Sequence, residues 1–305
     1  MEIVGITGAN GFIGKRLCSV LRHHGWHIRP FVRDSRYAPL ESMSIEDIGP
    51  STDWSRALSE VATVIHTAAH VHHLRQPESE LWQRCYHVNV EGTINLAQQA
   101  SRLGVRRLIF LSSIKVNGEK TVSGEPFKDS SVPCPVDAYG NSKWEAERAL
   151  NEIGRDSNLE IVIIRPPLVY GPGVKANFHL LMKLISMGIP LPLEGIINRR
   201  SFVAIDNLID LVECCIDHPL AAGSTFLVSD DQDMSTPELV RAVSEAMGRP
   251  IRLFSAPQGL LTSGAMMLGR SEMVGRLVDC LQVDISKTKS MLNWSPPLTL
   301  SLIHI

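Results

Sequence analysis

The sequence predicts an α/β protein, built on a parallel sheet wound by helices on both faces, with a smaller α/β subdomain attached. Short apolar, β-branched runs recur at residues 3–7, 28–32, 64–67, 108–112 and 161–165. Helical patterns separate them near 12–24, 78–102 and 138–157, the alternation that a parallel sheet with crossover helices requires. The first strand runs directly into Gly8-Ala9-Asn10-Gly11-Phe12-Ile13-Gly14 and then an amphipathic stretch, which is the strand, glycine turn and helix of a Rossmann-type dinucleotide site.

Each glycine has a distinct task there. Gly8 permits the tight turn, Gly11 lets backbone approach a pyrophosphate, and Gly14 lets the helix pack on the strand with its positive end toward the phosphates. About twenty residues on, where an NAD site usually carries an acid for the ribose hydroxyls, the chain has Val32 and Arg33. A guanidinium fork suits a 2′-phosphate, so NADP is the expected cofactor, ahead of NAD. Asp34 and Arg36 lie close by and also allow a simple charged loop.

Downstream come Ser112-Ser113-Ile114-Lys115 and Tyr139-Gly140-Asn141-Ser142-Lys143. Residues four apart share a helix face, which places the Lys143 ammonium near the Tyr139 phenol. A neighbouring cation favours phenolate and lowers a pKa of about 10, so Tyr139 is expected to exchange a proton with a sugar or alcohol hydroxyl near neutral pH.

Residues 171–305 are less regular, helical at 177–187, 206–218 and 236–247, with short strands around Phe202 and Phe226. Pro190, Pro192, Pro219 and Pro250 punctuate the loops. The expected division is a dinucleotide-binding domain over 1–170, with a return excursion near 200–230, and a mainly substrate-binding subdomain over 171–305.

These motifs resemble the extended short-chain dehydrogenase/reductase family, in particular its UDP-glucose 4-epimerase-like branch. The resemblance runs through Thr7–Gly14, Asp47-Ile48, His66-Thr67-Ala68-Ala69-His70, Asn89-Val90-Glu91-Gly92-Thr93 and Arg165-Pro166-Pro167-Leu168-Val169-Tyr170-Gly171-Pro172. It implies catalytic roles for Ser113 (in preference to Ser112), Tyr139 and Lys143. It implies cofactor contacts from Gly8, Asn10, Gly11, Phe12, Ile13, Gly14, Asp47, Ile48, Ala68, Ala69, Asn89, Tyr139, Lys143 and Pro166, and substrate contacts from Ser113, Asn177, Arg200 and Arg276. Lys115 reads either as a further substrate contact or as a solvated lysine.

Where the epimerases carry a small hydroxyl residue and a tyrosine, this chain has Lys115 and Asn117. Its Ser-Ile-Lys-Val-Asn-Gly run is more similar to a subgroup associated with 4-keto reduction of UDP-2-acetamido-2,6-dideoxy-hexuloses for bacterial surface polysaccharides such as O-antigen. The resemblance therefore implies a UDP-sugar 4-ketoreductase first. The same residues would serve a UDP-glucose or UDP-N-acetylglucosamine 4-epimerase, and a nucleotide-sensing regulator on this fold is a third reading.

Bulk properties bound the rest. With 305 residues, 20% charged and a net charge of -2, there is no electrostatic basis for nucleic-acid or anionic-membrane partners. Cys18, Cys85, Cys134, Cys214, Cys215 and Cys280 form no regular framework, and the start Met1-Glu2-Ile3 lacks a basic leader, so a cytoplasmic protein is expected. No apolar run approaches the roughly 20 residues that cross a bilayer. The apolar end, 296–305, reads as a truncation or as a segment held by another subunit, and the resemblance implies a homodimer formed through helices of the main domain. His66, His70, His72 and His73 cluster without a Cys or carboxylate at ligand spacing, so no metal is expected. Cys214 and Cys215 read as small buried hydrophobes.

Overall fold

A computed structural model describes residues 2–33, 42–71, 78–174, 177–257, 259, 275 and 277–299. The chain begins β1 (Ile3–Thr7), α1 (Phe12–His23), β2 (His27–Val32), β3 (Met43–Ser44), α2 (Ser55–Leu58) and β4 (Val61–His66). Next, α3 (Glu78–Cys85) passes through a π-helical turn (Tyr86–Glu91) into α4 (Gly92–Arg102), followed by β5 (Arg107–Leu111), a 3-10 turn (Ile114–Val116), α5 (Ala138–Arg155) and β6 (Glu160–Arg165). The remainder is β7 (Leu168–Tyr170), α6 (Asn177–Ser186), β8 (Phe202–Ala204), α7 (Ile205–Asp217), β9 (Ser224–Leu227), α8 (Thr236–Ala246) and α9 (Ser286–Leu292).

Seven strands form one parallel sheet in the order β3-β2-β1-β4-β5-β6-β9, and β7 and β8 form a separate two-stranded sheet. The register aligns the carboxyl ends: Thr7 sits beside His66, and His66 beside Phe110. The chain winds outward from β1 through β2 and from β4 through β5, so the switch point falls between β1 and β4. Ligands of such sheets bind at that place.

Alternation along the strands separates two cores. Val4, Ile6, Ile65, Ile109, Leu111, Val162 and Ile164 pack with α1 and α7, through Leu17, Leu21, Leu208 and Val212. Val64, Leu108, Phe110, Ile161 and Ile163 face the other way, onto Leu96, Ala97, Ala146 and Leu150 of α4 and α5. A third core, with Tyr170, Ile185, Leu191, Phe202, Leu239, Val240 and Val243, belongs to the later part of the chain. There β9 returns to the main sheet beside β6.

The strand expected at 64–67 begins three residues earlier and stops at His66, and the one expected at 108–112 stops at Leu111. The sequence signals did not give β3, α2, β7 or α9, which span only 2, 4, 3 and 7 residues, too few for a periodic pattern. Of the terminal segment 296–305, residues 300–305 lie outside the described residues. No helix among the described residues is long and apolar enough to cross a membrane.

Candidate active site

The turn after β1 has the geometry of a phosphate cradle. Gly8 adopts φ +66°, and the Gly11 amide donates to the Gly8 carbonyl at 2.8 Å. A Cβ on Gly14 would lie 2.2 Å from that carbonyl oxygen, and one on Gly8 would lie 2.8 Å from the Ala68 nitrogen, so neither position admits a side chain. Gly11 caps α1 without a side-chain hydrogen bond, and no acid occupies the first turn. The first amides of α1 are thus left for an anion, which the helix dipole favours. Asn10 is exposed at this turn, while Phe12 and Ile13 are half-buried and pack on the core. These residues fit a bound dinucleotide.

At the end of β4 the Thr67 hydroxyl donates to the Thr7 carbonyl at 2.6 Å, and the Ala68 amide donates to the Thr7 hydroxyl at 3.2 Å. This sets half-buried Ala68 and Ala69 beside the glycine turn. His66 is wholly buried between Thr7 (2.6 Å) and Thr93 (3.0 Å) and stacks on Phe110. Because the Thr93 hydroxyl donates to the Asn89 carbonyl at 2.7 Å, it accepts from His66 Nε2, and Nδ1 accepts from Thr7. Burial, reinforced by Lys143, lowers the imidazole to about 3. His66 is a neutral structural residue; His72 and His73 lie outside the described residues. No group of His, Cys, Asp or Glu among the described residues could hold a metal ion.

Asn89 sits in the π-helical turn. Its amide accepts from His70 N (2.7 Å) and donates to His70 O and Ser142 Oγ, both at 3.0 Å. The wider turn lets one buried side chain hold the β4 loop and α5 together, which makes Asn89 a positioning residue with both amide hydrogens committed. Further out, the Arg33 and Asp47 side chains are exposed and pair at 3.6 Å, while Ile48 is buried. Both charged groups line a cavity of about 590 Å³ together with His70, Tyr86, His87 and Glu91. Two larger cavities, of about 650 and 980 Å³, open at the far end of α5 and between Pro190 and Phe254, away from every group with catalytic chemistry.

The chemistry-bearing groups meet where β5, β6 and α5 converge. Ser112 is buried and its hydroxyl donates to Glu147, whereas Ser113 is partly exposed and accepts at Oγ from the Lys115 amide at 3.2 Å. Of the two hydroxyls, Ser113 is therefore the one left accessible. The Pro166 carbonyl accepts from Ile114 N at 3.0 Å and pins this turn to β6. Lys143 is 1% exposed; its ammonium donates to the Leu111 carbonyl at 2.8 Å and lies 4.4 Å from the Phe110 ring centre and 5.9 Å from that of Tyr139. Burial lowers it to about 7, against the raising influence of Glu147 and Cys85.

The expected lowering of the Tyr139 phenol does not hold for the protein's own groups. Burial first, then the negative charges of Asp137 and of Cys85 when ionised, push it above the ordinary value. Asp137 caps α5 by accepting from the Gly140 amide at 2.6 Å and also takes the Lys115 ammonium, which reaches Glu119 at 3.2 Å as well.

The chain as a whole is similar to known proteins. Residues 4–228 match the NAD dependent epimerase/dehydratase family. The chain belongs to that family. It is an extended short-chain dehydrogenase/reductase and an NAD-dependent enzyme. A UDP-glucose 4-epimerase of Vibrio cholerae is 46% identical over 298 residues, covering 97% of this chain and 91% of that one. The N-acetyl-alpha-D-glucosaminyl-diphospho-ditrans,octacis-undecaprenol 4-epimerase of Escherichia coli O157:H7 is 26% identical, covering 84% and 75%. A structure of UDP-glucuronic acid 4-epimerase from Bacillus cereus in complex with UDP-glucuronic acid and NAD shares the fold at TM-score 0.78 and 22% identity, covering 99% of this chain and 97% of that one.

Within this family member the residues expected to touch substrate are less gathered than the catalytic ones. Arg200 is half-buried in the later part of the chain, donating to the Asp279 carbonyl at 2.9 Å, with its backbone bridged to Met234 and Leu281. Asn177 begins α6, and Arg276 lies outside the described residues. Sequence reasoning missed Glu147, Cys85 and Asp137, and gave Arg165 only as part of a motif, with no role of its own. Only Asp137 carried a signal, an N-cap type placed just before a helical pattern.

Proposed function

We propose that this enzyme is a UDP-hexose 4-epimerase, acting on UDP-glucose or UDP-N-acetylglucosamine with NAD. The observation that carries the reading is that buried Lys143 lies 5.9 Å from the Tyr139 ring centre while its ammonium is tied to the Leu111 carbonyl at the end of β5, just before partly exposed Ser113. The Vibrio cholerae relative, spanning nearly the whole chain, supports the same reaction. The 4-ketoreductase reading rested on Lys115 and Asn117. Lys115 pairs with Asp137 and Glu119, and buried Asn117 accepts from Arg165 at 3.0 Å and donates to the Lys128 carbonyl at 3.3 Å. Protein contacts account for both departures, so neither argues for reduction, and the epimerase reading takes precedence.

Ionised Tyr139 would take the proton from the C4 hydroxyl, its phenolate favoured by the positive charge of the oxidised nicotinamide where the protein's own groups oppose it, and Ser113 would donate a hydrogen bond to the oxygen as it gains carbonyl character. When bound, NAD would supply the hydride acceptor for C4 and the donor for its return to the opposite face of the ring. Tyr139 then gives the proton back to the C4 oxygen, so no net acid or base is consumed. The α1 amides with Gly8, Gly11 and Gly14 would hold the pyrophosphate, and Lys143 with Tyr139 the nicotinamide ribose. Asp47 beside Arg33 supports NAD over NADP, since a carboxylate there opposes a 2′-phosphate and occupies the guanidinium.

The test is to mix purified protein with UDP-glucose and follow UDP-galactose by chromatography while monitoring reduced nicotinamide. Interconversion without net absorbance change is expected, and Tyr139→Phe should lose turnover by about a thousand-fold while retaining NAD. Stoichiometric oxidation of NADPH by a UDP-4-ketosugar, with no interconversion, would overturn the proposal.

A further inference from the structure

Lys115 is two residues from Ser113 in sequence and touches the start of the helix that carries Tyr139. Its backbone amide donates to Ser113 Oγ at 3.2 Å, and its ammonium pairs with Asp137, the residue that caps α5 two positions before Tyr139. Glu119 holds the same ammonium at 3.2 Å. The two elements are in close contact here: a Cβ on Gly140 would lie 2.9 Å from the Lys115 carbonyl oxygen and 3.1 Å from Asp137 Oδ1. Only glycine lets the first turn of α5 approach the serine turn so closely.

We propose that Lys115 is a positioning residue for the reaction, a clamp that fixes the Ser113 hydroxyl with its amide and the Tyr139 helix with its side chain. This goes beyond the epimerase reading but rests on it for the roles of Ser113 and Tyr139. The clamp also has an electrostatic side. The charged and titratable groups around Tyr139 are Asp137 and Lys143 of its own helix region, Cys85 of α3, and Lys115 with Glu119 from the turn after β5. Asp137 opposes formation of phenolate at Tyr139, and the Lys115 ammonium offsets that charge at its source.

The experiment compares Lys115→Met, Lys115→Arg, Asp137→Asn and the Lys115→Met/Asp137→Asn double variant. Tyr139 ionisation is read from tyrosinate absorbance in the NAD-saturated protein, with Tyr139→Phe subtracted. This reading needs no substrate, so it stands or falls apart from the identity of the sugar. Lys115→Met should raise the Tyr139 midpoint by about one pH unit and move the acidic limb of kcat upward by as much. At neutral pH it should lower kcat about ten-fold with KM within about two-fold. Lys115→Arg should restore both. Asp137→Asn keeps an N-cap side chain, should lower the midpoint, and should cancel the rise in the double variant.

If Lys115→Met fails to fold, Asp137→Asn alone decides, since an unmoved Tyr139 midpoint overturns the proposal. A raised KM with kcat and the Tyr139 midpoint unchanged would make Lys115 a substrate contact and overturn it equally.

Discussion

Glu147 and Arg165 form an ion pair withdrawn from water, with Nη2 to Oε2 at 2.5 Å and side chains 1% and 4% exposed. The same carboxylate takes the Ser112 hydroxyl, and Arg165 also donates to Asn117 at 3.0 Å. One pair therefore joins α5, the end of β5, the end of β6 and the loop behind Ser113. Leaving one partner of a buried pair uncompensated costs about 3–5 kcal/mol. Glu147→Ala should lower the unfolding free energy by that order, read from urea titration, while Glu147→Leu/Arg165→Met should recover a large part of it. Equal stability of Glu147→Ala and the unmodified protein would show that the pair does not hold this junction.

Gly14→Ala should weaken NAD binding at least about ten-fold, because the cradle would have to open to admit the methyl group. Its Cβ would stand 2.2 Å from the Gly8 carbonyl oxygen. Gly195→Ala is the comparison, since its Cβ would meet nothing nearer than 3.9 Å. Calorimetry with NAD should separate the two variants, and matching affinities would refute the cradle.

The Arg33 and Asp47 side chains stand 3.6 Å apart and are 71% and 58% exposed. Removing the carboxylate frees the guanidinium for a 2′-phosphate. The unmodified protein should bind NAD about ten-fold tighter than NADP, and Asp47→Asn should narrow that gap. Competition binding with both nucleotides measures it; an unchanged ratio in Asp47→Asn would remove Asp47 from cofactor choice.

Much of the architecture was readable because strands and helices repeat with different periods. In β5, Leu108 and Phe110 face one core while Ile109 and Leu111 face the other, and the run of apolar residues announces a strand covered on both sides. The glycine turn and the spacing of Tyr139 and Lys143 were equally local. What could not be read depends on long-range contact. Glu147 and Arg165 look like ordinary surface charges in sequence, since only the packing of α5 on β6 buries them. Lys115 meets Asp137 because the intervening loop folds back, with the Cys134 amide donating to the Val116 carbonyl at 2.9 Å. The direction of the Tyr139 shift followed from burial beside Asp137 and Cys85, and nothing in a Tyr-x-x-x-Lys spacing reports that.

His66 links the site to pH. Its imidazole is held neutral by burial and by the nearby Lys143, at about 3 against an ordinary 6.5, and its ring is committed to Thr7 and Thr93. The unfolded chain takes up a proton on this side chain as pH falls through 6.5, while the folded chain does not until about 3. Between those values the unfolded state binds more protons, so His66 makes stability fall with falling pH, at about 1.4 kcal/mol per pH unit for one proton. Above this window its full contribution is present. His66→Gln can still span the two threonines but cannot titrate, so the variant should be less stable than the unmodified protein at pH 7 and lose stability less steeply from pH 6 to pH 4. Carboxylates contribute the same slope to both proteins and cancel in the difference. Urea midpoints across that range measure it, and parallel curves for the two proteins would mean that His66 is already free to protonate in the folded state.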